Sequence, residues 1–177
     1  MQLQSGVIIF QVQVDTDFGE AVMLDGKLAF NHCGLSLGGG KIIEARQKEG
    51  VVITPEDVFL ASAQESTAVE VKDTSIIPAA CKRALSFLGR PYNFSFAPEG
   101  PGIYCSQLIT ESFKKADGTD YFPLQPMSFC GPDGKTLPFW QDYYEKLGKP
   151  IPEGVPGSHP GGLFLCKELF TPLLFPR

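Results

Sequence analysis

Histidine is scarce in this chain. The 177 residues hold two, His32 and His159, so a mechanism that needs an imidazole must use one of them. Paired cysteines are also missing: Cys33, Cys81, Cys105, Cys130 and Cys166 make an odd count with no Cys-x-x-Cys spacing. That pattern fits neither a disulfide scaffold nor a zinc site, and free thiols are the better reading. No cluster of basic residues occurs, and 15 Lys and Arg against 20 Asp and Glu give a formal charge of -5. A nucleic-acid or anionic-membrane partner is disfavoured, because such partners are attracted by concentrated positive charge. The longest apolar stretches, such as 6–10 and 163–165, fall far short of the roughly 20 residues that span a bilayer. The first six residues lack a cationic stretch followed by an apolar one. As written, the chain reads as cytoplasmic unless a signal segment has been removed. No repeat or low-complexity segment is visible.

What is present suits a single domain over 1–177, with 43% hydrophobic and 20% charged residues. Residues 6–14 (GVIIFQVQV) read as a strand entering a core. Asp17 and Glu20 resemble a capping box, predicting a short helix to Leu24 and a turn at Asp25-Gly26. From His32 an alternating run meets Gly38-Gly39-Gly40 and returns as KIIEA, a hairpin signal. Thr54-Pro55-Glu56-Asp57 offers an N-cap threonine, a proline at the first helical position and early acids. Residues 67–72 alternate like a strand, and 77–88 carry apolar residues at helical spacing before Gly89. The stretch 90–102 reads as a loop, 104–116 as a second amphipathic helix, and 138–147 as an aromatic one.

On the 104–116 helix, Cys105, Leu108, Ile109, Ser112, Phe113 and Ala116 share one face, which places Cys105 inward in the first turn. A helix N-terminus lowers a thiol's pKa and offers N–H groups to an oxyanion. The preceding Gly100-Pro101-Gly102 permits close backbone approach by a substrate. Alone, Cys105 reads more readily as a small buried hydrophobe on a core stripe than as a nucleophile. A base is needed, and it must be oriented by a third polar group. His32 heads a strand whose hairpin partner carries Glu44, so the carboxylate can stand beside the ring; Glu44 could otherwise be a solvated strand-edge acid. His159 is the rival base, in a loop of Pro and Gly with no acid or amide soon after.

The stretch 31–45, NHCGLSLGGGKIIEA, resembles the His-strand hairpin of NlpC-type cell-wall peptidases. The stretch 89–109, GRPYNFSFAPEGPGIYCSQLI, resembles the same superfamily's Pro-Tyr segment, Gly-rich loop and Cys-Ser helix start. Here the Cys segment follows the His segment, an order similar to the circularly permuted YiiX-like branch, which is related in layout to lecithin:retinol acyltransferase-like proteins. The similarity covers roughly residues 5–113. It implies a papain-like permuted α+β fold, a small antiparallel sheet packed against helices including the one with the nucleophile. It also implies a Cys105, His32 and Glu44 triad, Tyr92 at the substrate, thioester chemistry without metal or cofactor, and a small peptide or acyl substrate as partner. A peptide derived from the cell wall is the first expectation. A lipid acyl hydrolase or acyltransferase and an inactive peptide- or amino-acid-binding module are the alternatives. Three departures stand out: Gly6-Val7 for the usual Gly-Asp, Tyr92-Asn93 for Tyr-Asp, and Cys105-Ser106-Gln107 for Cys-Ser-Glu. Oligomeric state is not specified by the pattern.

Overall fold

The computed structural model describes residues 2–13 and 30–173. In chain order the elements are β1 (Ile8–Val12), β2 (His32–Gly38), β3 (Lys41–Arg46), β4 (Gly50–Pro55), α1 (Glu56–Ala61), β5 (Glu65–Val71), α2 (Ile77–Ser86), α3 (Cys105–Ser112), β6 (Gln125–Pro126), α4 (Pro138–Leu147), β7 (Pro156–Gly157), α5 (Pro160–Phe164) and β8 (Phe170–Leu173). The capping box, short helix and turn predicted over 17–26 lie outside the described residues.

Six strands form one antiparallel sheet in the order β4-β3-β2-β1-β5-β8. Strand alternation separates two apolar faces. Ile8, Phe10, Cys33, Leu35, Ile43 and Ala45 join Ala80 and Ala84 of α2 and Leu108 and Ile109 of α3 in the larger core. Ile9, Ile42 and Ala68 face the other way, against Phe59 of α1. Burying each large aliphatic or aromatic side chain contributes on the order of 1.5–3 kcal/mol, so this two-faced sheet is the main source of stability.

Gly34 sits where β2 meets α1. A Cβ there would stand 2.7 Å from Ile42 Cγ2 and 2.8 Å from Phe59 Cζ. The substitution Gly34→Ala therefore overpacks that face and is expected to cost about 1–3 kcal/mol, read as a lower urea midpoint with an unchanged slope.

The β2–β3 hairpin forms as its sequence predicts, because Gly38, Gly39 and Gly40 all adopt positive φ at the turn. The aromatic helix also falls on its predicted span, opened by Pro138 and ended by Gly148 in the left-handed region. The helix predicted over 104–116 stops earlier, at Ser112. Arg83 of α2 donates from Nε to the Ser112 carbonyl at 2.7 Å and from a terminal nitrogen to the Lys114 carbonyl at 3.2 Å. Phe113 turns extended and its ring packs on Phe122. Strands β4 and β8 were not anticipated. Pro55 is the N-cap of α1 rather than its first helical residue, and Thr54 makes no cap because its hydroxyl is engaged elsewhere.

Beyond α3, Phe129, Trp140 and Tyr144 form a third, aromatic cluster. The Tyr144 hydroxyl donates to the Ser95 carbonyl at 2.9 Å and that of Tyr143 to the Phe94 carbonyl at 2.6 Å. These bonds tie α4 to the loop that precedes α3.

Candidate active site

Cys105 is the first residue of α3, whose first-turn N–H groups have no intrahelical acceptor. Gln107 Oε1 accepts the Tyr104 N–H at 3.4 Å and steadies the turn. The loop ahead of it is closed by the chain itself. A Cβ on Gly102 would stand 2.4 Å from the Pro91 carbonyl oxygen, and the Ile103 N–H donates to that oxygen at 2.9 Å. The close approach predicted for a substrate is thus made by residues 91–93, which sets Tyr92 beside Cys105. Asn93 explains one departure from the expected pattern. Its Nδ2 donates to the Ala97 carbonyl at 2.7 Å while its Oδ1 accepts from the Ser95 N–H and hydroxyl. An aspartate has no donor for the first of these bonds.

His32 opens β2, and Glu44 lies diagonally across the β2–β3 ladder, opposite Gly34. The two are 7% and 4% exposed. His32 Nε2 meets Glu44 Oε2 at 2.7 Å, which leaves Nδ1 as the ring nitrogen available to the thiol. The Thr54 hydroxyl donates to Glu44 Oε1, so both carboxylate oxygens are held. Phe59 packs against the imidazole with ring centroids 5.8 Å apart. Cys105 and His32 lie within hydrogen-bonding reach of one another. The structure therefore brings Cys105, His32, Glu44 and Tyr92 together.

Electrostatics favour an ion pair. Burial pulls the His32 pKa down, but hydrogen bonds and charges from Cys105 and Glu44 outweigh it and push the value up to about 9. Cys105 is held well below the ordinary thiol range. The largest influence is a hydrogen bond from Cys33; burial opposes it, and the His32 hydrogen bond and charge reinforce it. Glu44 also ends below its ordinary value, where the His32 bond and charge and the Thr54 hydroxyl overcome the effect of burial. Tyr92 is pushed up by burial and by the neighbouring Cys105, so its phenol keeps its proton.

His159 reaches the same cavity wall as Cys105 from the N-cap of α5. Its Nδ1 accepts the Gly161 N–H at 3.1 Å, and burial lowers its pKa, so the ring is neutral. It lacks the carboxylate that His32 has.

The family described as "Permuted papain-like amidase enzyme, YaeF/YiiX, C92 family" matches residues 2–160. The chain belongs to this family. It is accordingly a papain-like cysteine hydrolase of the amidase type with the permuted segment order. A solved structure described as metalloprotein yiiX from Escherichia coli O157:H7 is 22% identical, with 98% of each chain covered and a TM-score of 0.76. That likeness establishes the fold. No curated protein matches. Among the described residues of this chain, no group of three or more His, Cys, Asp or Glu is placed to hold a metal ion.

Two contributors escaped the sequence reading. Thr54 looked like a helix cap, and only the β3–β4 pairing turns it toward Glu44. Cys33 is fully buried in the core, yet its thiol faces Cys105; burial and that neighbour raise its pKa, so it stays protonated and acts as a donor. The signal for Thr54 was its place two residues beyond the cross-strand partner of Glu44. No local signal marked Cys33.

Proposed function

We propose that this amidase works through Cys105 as nucleophile, His32 as acid and base, and Glu44 as the group that orients His32. The carrying observation is the buried His32–Glu44 bond, which leaves one ring nitrogen for a thiol at a helix N-terminus. The Cys105 thiolate adds to the substrate carbonyl carbon. First-turn N–H groups of α3 and the Tyr92 phenol receive the developing oxyanion. The C–N bond breaks as His32 hands its proton to the departing amine, leaving a thioester. Water, losing a proton to neutral His32, then attacks the thioester and returns the thiol and an acid.

A wall-derived peptide and a lipid acyl compound both present such a carbon, and the choice between them depends on what surrounds the thiol. A pure binding module is disfavoured, since it gives no reason for Cys105, His32, Glu44 and Tyr92 to converge.

Iodoacetamide labelling across pH, followed by mass spectrometry, tests the reading through its premise. At pH 6 an ordinary thiol of pKa ~8.5 is roughly 0.3% ionised. Cys105 is expected to label about 10²-fold faster there than Cys81, Cys130 or Cys166. The substitution His32→Ala should remove that advantage, Cys33→Ala should move the labelling midpoint to higher pH, and Cys33→Ser should restore it. Labelling of Cys105 at the rate of the other cysteines would sink the ion-pair hypothesis.

A further inference from the structure

Cys105 lies in the wall of a cavity of about 690 Å³, within the range of sites that enclose a drug-sized ligand. Its far side is built from the segment around β6 and β7 and from α4. Phe96, Met127, Phe129, Leu137 and Trp140 supply hydrocarbon and ring surface, and Leu165, 71% exposed, stands among the lining residues as well. Among the described residues that line it, none is Asp, Glu, Lys or Arg. The one imidazole on the wall, His159, is neutral, and the two phenols, Tyr92 and Tyr104, are held protonated by burial.

This lack of charge bears on what can enter. A carboxylate moved from water into such a site loses its hydration and finds no Lys or Arg among the described lining residues to replace it. Peptides of the cell wall that carry free carboxylates are poorly matched. A hydrocarbon group loses little and gains by leaving water.

Resting on the thiol mechanism proposed above, we infer that the substrate is an amide bearing, on the acyl or the amine side of its scissile bond, an uncharged aliphatic or aryl group of the size of a medium-length chain, and that this group fills the cavity.

The test reads Cys105 alkylation, so it does not depend on finding the natural amide. Two series of electrophiles are used, each with chains from methyl to nonyl. Alkyl chloromethyl ketones place the chain on the acyl side, and N-alkyl iodoacetamides place it on the amine side. In both, the thiolate's electron pair forms an S–C bond as the C–halogen bond breaks and halide departs. The second-order labelling rate of Cys105 is expected to rise roughly fourfold per methylene in at least one series, levelling off when the cavity is full. The responding series assigns the side. A terminal carboxylate on the same chain should erase the gain, Met127→Glu should flatten the slope, and Met127→Leu should preserve it. Rates independent of chain length in both series, or raised by the carboxylate, would overturn the inference. If iodoacetamide itself still reacts fast with Cys105 in that case, the mechanism stands and only the substrate class falls. If Cys105 is inert to every reagent, both fall.

Discussion

Replacing Cys105 with alanine is expected to lower amide turnover by about 10⁵- to 10⁶-fold, the scale on which a covalent mechanism collapses when its nucleophile is removed. Alanine has no lone pair to form the thioester. What survives is the modest effect of the α3 N–H groups and the cavity on a slow attack by water. Serine should rescue little. A hydroxyl stays protonated where the thiol ionises, so His32 and the side chain at 105 no longer form an ion pair. The fold should survive both changes, because Cys105 is a small side chain at the edge of the core, 5% exposed. The measurement is release of amine from neutral N-acyl anilides, with thermal unfolding run beside it. An unchanged melting temperature with lost turnover assigns the loss to chemistry. Turnover by Cys105→Ala within tenfold of the parent chain would remove the thiol from the mechanism.

How much of this was legible depends on the range over which each signal acts. The β2–β3 hairpin and α4 were readable because their limits are written locally, in Gly38-Gly39-Gly40 and in Pro138 and Gly148. The pairing of His32 with Glu44 followed from that hairpin, since two strands joined by a tight turn must lie side by side. The early end of α3 was not readable, because a guanidinium from α2 accepts the role of capping its carbonyls across a separation of 29 residues. Strand β8 pairs with β5 from about a hundred residues away, and its Thr-Pro centre gives no alternating pattern. Thr54 was misread because a threonine before a proline and two acids carries a true helix-start signal, and only the β3–β4 register shows that its hydroxyl serves Glu44 instead. The cavity was hidden for a related reason. Its far wall comes from Pro- and Gly-rich chain that is held by the two-residue β6–β7 ladder, the Met127–Val155 backbone bond and aromatic packing, none of which has a period.

The dependence of turnover on pH should separate the members of the site. Activity requires the ion pair, so it should rise as Cys105 ionises and fall as His32 loses its proton, giving a bell. The sign on each side follows from the shifts. Cys105 is held below the ordinary thiol range, which places the acid limb below that range; His32 is raised to about 9, which places the basic limb there. In His32→Ala the bell should become a single rise with pH, because only thiol ionisation remains, and turnover near neutrality should fall about 10³- to 10⁴-fold. Glu44→Gln keeps the shape of the side chain and removes its charge. It strips one of the two partners that hold His32 protonated and leaves Cys105 as the other, so the basic limb should move to lower pH while the bell persists. Thr54→Val deletes a single hydrogen bond of about 1 kcal/mol and should cost roughly fivefold without changing the shape. His159→Gln tests the rival imidazole. With His32 and Glu44 intact it should retain the bell and stay within tenfold of the parent rate. A basic limb that is unmoved by Glu44→Gln but abolished by His159→Gln would transfer the role of base from β2 to the start of α5.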